Sequence, residues 1–109
     1  MYYTIHLLFF YYFADNENPT IANPPSSITQ NTDSGLSTAV VTWSEPTATD
    51  NSGTVTLTSS HSSGSTFDIG TTTVTYTATD DASNTVSDTF TVTIEGMIGK
   101  FVFRPFLRP

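Results

Sequence analysis

The stretch Gly70–Asp80, GTTTVTYTATD, alternates Val74, Tyr76 and Ala78 with Thr73, Thr75, Thr77 and Thr79. Apolar and polar residues exchange at every second position, which is the period of a strand with one buried face and one wet face. A single strand of this kind has no stability in water, so the rest of the chain must cover its Val/Tyr/Ala face. It supplies the cover in the same pattern. Residues 38–43 put Ala39, Val41 and Trp43 on one face and end at Glu45-Pro46; residues 54–58 put Val55 and Leu57 inward. Phe67 and Ile69 read as a short inward pair before Gly70, and Val86, Phe90, Val92 and Ile94 share one parity of a long closing strand. Between them lie segments of turn chemistry at 47–53 (TATDNSG), 59–65 and 80–84. Short strands punctuated this often predict an all-β, antiparallel β-sandwich of about seven strands. Its expected core is Trp43, Val41, Val55, Leu57, Phe67, Ile69, Val74, Tyr76, Phe90, Val92 and Ile94.

A chain of 109 residues has room for one ordinary domain. Its limits show as changes of character. Residues 1–14, MYYTIHLLFFYYFA, are apolar apart from Thr4 and His6. The run is shorter than the ~20 residues of a membrane-spanning helix. Three readings stay open for it: a secretory leader, although no Lys or Arg precedes it and Tyr12 sits badly in a cleavage site; a segment foreign to the domain; or an added strand. Residues 15–25 carry Pro19, Pro24 and Pro25 and read as a linker into an edge strand around Ile21 and Ile28. After Glu95-Gly96 the Thr alternation gives way to MIGKFVFRPFLRP, interrupted by Pro105 and poorly suited to a surface helix. The expected domain is therefore 15–96, with 1–14 and 97–109 outside it.

No cysteine is present, which removes disulfides, thiol nucleophiles and Cys-based metal sites. Thr and Ser account for 35 residues, 22 of them Thr, while charged residues make up only 12%, a balance suited to an extracellular β-rich surface. All ten acidic residues lie between Asp15 and Glu95, and the three basic ones, Lys100, Arg104 and Arg108, lie in the last ten positions. A domain with only negative fixed charge repels phosphate backbones and anionic lipid, which argues against nucleic-acid binding. Cations are its natural counterions.

Four segments carry a more specific signal: VTWSEPTATDNSG at 41–53, GSTFDIG at 64–70, TTVTYTATD at 72–80 and FTVTI at 90–94. In this order they resemble one hyalin repeat (HYR) domain, over about Ile21 to Glu95. The resemblance implies an immunoglobulin- or fibronectin type III-like sandwich that occurs in tandem in secreted or cell-surface proteins, with an adhesive role and with neighbouring repeats or other extracellular domains as partners. HYR domains usually carry two cysteines, at positions that fall on Pro24 and Asp88 here. Both are missing, and a bridge of that kind is worth ~2–5 kcal/mol in a small secreted domain. Asp88, on inward parity, must then reach solvent or a partner.

For chemistry, His6 lies outside the expected domain and His61 sits in a Ser-rich loop flanked by Ser59, Ser60, Ser62 and Ser63. Neighbours in a loop are not a preorganised nucleophile and base, and no G-x-S-x-G elbow or phosphate-cradling Gly loop is present. The competing functions, a secreted hydrolase using His61 or a membrane-active peptide using residues 1–14, have less support than a non-catalytic adhesion or spacer module. The carboxylates offer a further reading. Sandwich topology brings the turn after Trp43 and the turn after Asp80 to one end, so that Asp50, Asn51, Asp80 and Asp81 become candidate Ca²⁺ ligands, with Asn84 near them and the linker residues Asp15, Glu17 and Asn18 approaching. Against this stands ordinary Asp/Asn turn capping.

Overall fold

The computed structural model describes residues 16–98 and 101–103. The N-terminal run at 1–14 and Asp15 lie outside the described residues, as do 99–100 and 104–109.

The Gly70–Asp80 stretch is a single strand, β7, and its burial alternates as its sequence does: Val74, Tyr76 and Ala78 are buried while Thr71 and Thr73 are exposed. It is preceded by β1 (Thr20–Ala22), β2 (Ile28–Asn31), β3 (Thr38–Val41), β4 (Thr47–Thr49), β5 (Val55–Ser59) and β6 (Ser65–Asp68), and followed by β8 (Thr85–Ile98) and β9 (Phe101–Phe103). β7 and β8 run antiparallel in register from Gly70↔Ile94 to Thr79↔Thr85. They form the centre of a large sheet ordered β2-β8-β7-β5. Opposite it lie two short ladders, β3-β6 and β1-β4.

The core closes between these layers. Ala39 and Val41 from β3 and Phe67 from β6 meet Val74, Tyr76, Phe90, Val92 and Ile94 from β7 and β8, and Ile21, Ile28, Trp43 and Leu57 pack around the cluster half-buried. The same alternation leaves the outer face of the large sheet to hydroxyls. Thr71, Thr73, Thr75, Thr77 and Thr79 stand opposite Thr93, Thr91, Thr89, Ser87 and Thr85. Thr56 and Thr58 of β5 extend this face on one side, and Thr29 of β2 on the other.

Five features depart from the expectation. β2 pairs with β8 in parallel, so one pair of an otherwise antiparallel sandwich runs the other way. Thr47–Thr49, expected as part of a turn, forms a strand against β1. Val55 and Leu57 are half-buried because β5 lies at the edge of its sheet, where cover is incomplete. Ile69 is a correction: it is 39% exposed and not in the core. β6 belongs to one layer and β7 to the other, and Gly70, at φ +129°, re-aims the backbone between them. The parity that carries Phe67 inward is broken before it can do the same for Ile69. β8 also continues past Gly96 to Ile98 and pairs there with β9.

Candidate functional site

Two loops and the incoming chain form the N-terminal pole. β5 begins opposite the end of β7, with Val55 paired to Asp80, so the turn 50–53 lies at the same end of the large sheet as the β7–β8 turn. Thr20 pairs with Thr49, which brings the N-terminal segment to the same end. The shared pole expected from the sequence is therefore present.

Asp80 organises the second turn. It is only 5% exposed, and its Oδ1 accepts hydrogen bonds from the backbone N–H groups of Ala82 and Asn84, both at 2.9 Å, while Oδ2 accepts from Asn84 Nδ2 at 2.9 Å. A carboxylate taken from water has to be compensated this fully or it destabilises the fold. The tight reversal also holds Ser83 at φ 70°. Asp50 does comparable work in the other turn, where its Oδ2 accepts from the Ser52 N–H at 3.0 Å and its carbonyl accepts from Gly53 N–H at 3.0 Å. Its other oxygen, Oδ1, is buried without a hydrogen-bond partner. Asn51 and Asp81 are exposed. Among the described residues, no group of three or more His, Cys, Asp or Glu side chains is placed to hold a metal ion.

A second polar cluster lies at the edge of the core, and the sequence reading missed it. The Trp43 indole Nε1–H donates to Tyr76 Oη at 2.7 Å, and Tyr76 Oη donates in turn to Glu45 Oε1. Ser63 ties the β5–β6 loop to Trp43: its Oγ accepts from the Trp43 N–H at 2.8 Å and lies 2.9 Å from the Trp43 carbonyl oxygen. Trp43 packs edge-on against Phe90, with centroids 5.1 Å apart, and tilted against Phe67 at 6.1 Å. Burial, then the Glu45 carboxylate, push the Tyr76 hydroxyl above its ordinary value of 10.0, with the Trp43 hydrogen bond opposing them. The available signal was that an inward Tyr and Trp each need a polar partner, and Glu45 stands two residues from Trp43.

His61 is not freely solvated. Its ring lies 5.4 Å from that of Phe67, and Nδ1 is 2.9 Å from Ser60 Oγ. Ser60 Oγ in turn accepts from Thr75 N–H at 3.0 Å, which fastens the loop to β7 and occupies the hydroxyl in a structural contact. Pro24 and Asp88 line one shallow depression with Pro25, Pro46, Tyr76 and Phe90. The two positions where the resemblance places cysteines are thus neighbours here, and half-buried Asp88 lies at this depression between sheet and linker.

No helix among the described residues is long and apolar enough to cross a membrane. No solved structure matches the chain closely enough to count as a relative. Among characterised proteins, hyalin of Lytechinus variegatus is 44% identical over 81 residues, which cover 73% of this chain and 15% of that protein. Hyalin of Strongylocentrotus purpuratus is 42% identical over 81 residues, covering 73% of this chain and 7% of its own length. The chain thus spans a small fraction of the relatives it matches. The HYR domain profile matches residues 14–94, the segment that holds both layers of the sandwich, and the chain belongs to the HYR domain family.

Proposed function

We propose that this chain is a non-catalytic extracellular adhesion or spacer module, built as one repeat of a tandem array and confined to residues 15–96. The observation that carries the reading is the likeness to hyalin over 81 residues, a stretch the size of one sandwich and a small part of each hyalin. The polar side chains described above support it, because their hydrogen bonds close turns and anchor loops. Partners are then other extracellular domains or adjoining repeats, met through strand faces and loop poles. Beads coated with the module should be retained on a surface of extracellular protein, equally well for the His61→Ala variant. Turnover of ester or peptide substrates that His61→Ala abolishes would replace this reading with a secreted hydrolase.

A second reading, a Ca²⁺-dependent module, draws support from the buried, unpartnered Asp50 Oδ1. Asp80 is engaged by its own turn, so this pole offers few oxygens, whereas Ca²⁺ takes about six to eight. The cation would be held between repeats, with carboxylates from a preceding module completing the set around Asp50, Asn51 and Asp81. A two-repeat protein should then melt higher in Ca²⁺ than in chelator, and a single module should not. Equal melting of the two-repeat protein in both conditions removes the reading.

A further inference from the structure

The outward face of the large sheet combines three properties that seldom occur together on a merely solvated surface. It is uncharged along the five paired Thr/Ser rows of β7 and β8, although the chain has a formal net charge of -7. The first carboxylate on its outward parity is Glu95, at the rim beyond Thr93. Several of its hydroxyls also bond to one another: Thr71 Oγ1 lies 3.1 Å from Thr93 Oγ1, and Thr77 Oγ1 lies 3.1 Å from Ser87 Oγ. Hydroxyls already paired within the face keep those bonds when water leaves, so covering them costs less than covering free ones. Lastly, the face is continuous across four strands.

We propose that this face is a homophilic contact surface, on which the same face of a second copy of the chain docks. The proposal rests on the adhesive reading given above and names its surface and partner. Charge selects the occupant. Two copies of an acidic module repel where Asp33, Asp68 or Asp81 would meet, while the Thr/Ser face brings no like charges together. A basic partner would be steered to those carboxylates instead. A self-complementary patch needs only a two-fold axis to close. Area sets the strength: β7 and β8 lie side by side from Thr71 to Thr79, while β5 flanks them only along 76–80 and β2 only along 92–95, so at ~3.4 Å per residue and ~4.8 Å per strand the face covers roughly 450 Å² per copy. The pair buries ~900 Å², in the range of weak, transient contacts, so single modules associate weakly and repeats in series associate by avidity.

Sedimentation equilibrium of the whole chain at ~0.02 M and ~0.5 M salt tests the proposal. Self-association should strengthen at high salt, because screening relieves the repulsion between two acidic copies. The double variant Thr73→Lys/Thr89→Lys should weaken association about tenfold or more, while the charge-matched Thr47→Lys/Thr66→Lys, away from the face, should not. In the unaltered chain, concentration-dependent amide shifts should gather on residues 71–79 and 85–93. A monomer at both salt concentrations, association that weakens with salt, equal loss in the two variants, or shifts gathered at 1–14 or 97–109 would each overturn the proposal. Capture of beads on other extracellular proteins would survive such a result and keep the general adhesive reading apart from this one.

Discussion

Asp80 and Asp81 are adjacent and chemically identical, yet the fold gives them different work. Asp80 is buried and accepts the N–H groups that close the β7–β8 turn, whereas Asp81 faces solvent. Asp80→Ala should cost about 1.5–3 kcal/mol by stranding those donors, and Asp81→Ala should stay within about 0.5 kcal/mol, both read by urea unfolding. Equal effects would mean that the turn is not organised as described. Tyr76 gives a pH signature. Its hydroxyl is held above its ordinary value of 10.0 in the folded chain, so the unfolded chain releases the proton first. That contribution is complete below the unfolded value and is lost as pH rises through the folded one. The stability difference between the native chain and Tyr76→Phe should therefore hold steady up to about pH 9 and narrow as pH rises past about 10, and a constant difference would place Tyr76 in a wetter setting. None of this could be read from residue types alone. Asp and Asn at a turn are the donor set of both a cap and a cation site, and only the burial of Asp80 shows how its carboxylate is engaged.

At the scale of elements, β7 was legible from end to end and β8 as far as Ile94, because alternation and burial coincide there, whereas the run of β8 on to Ile98 was not read. The failures lie where chain direction changes over one or two residues. Phe67 and Ile69 share parity in the sequence, but Gly70 carries the chain from one layer to the other, and Ile69 is left outside. Thr47–Thr49 is too short for periodicity to separate it from the turn that follows, and its pairing with β1 is a long-range contact. The parallel β2-β8 pair likewise depends on where the linker leads the chain, which no local pattern records. Gly70→Val should cost about 1–3 kcal/mol through backbone strain, since open space surrounds the position where its Cβ would stand. Ile69→Ser should be nearly neutral, within about 0.5 kcal/mol. Thermal melting of the two variants checks the layer crossing; the reverse order of effects would return Ile69 to the core.

For the whole molecule, one alternating pattern sets both the core and the character of the outer surface. Its even-numbered positions in β7 and β8 build the core with Phe67, Ala39 and Val41, and its odd-numbered positions leave a surface of hydroxyls. Carboxylates collect mainly in loops and at the poles, where Asp50 and Asp80 cap turns. With Pro24 and Asp88 in place of cysteines, this packing has to hold the sandwich without a covalent bridge. The most direct measurement compares the unfolding of Val74→Lys with that of its neighbour Thr73→Lys. Val74 has no exposed surface and Thr73 faces solvent, so the first variant should lose its cooperative transition, while the second should melt within a few degrees of the native chain. A folded Val74→Lys, or two variants destabilised alike, would contradict the division of β7 into a buried face and a wet face.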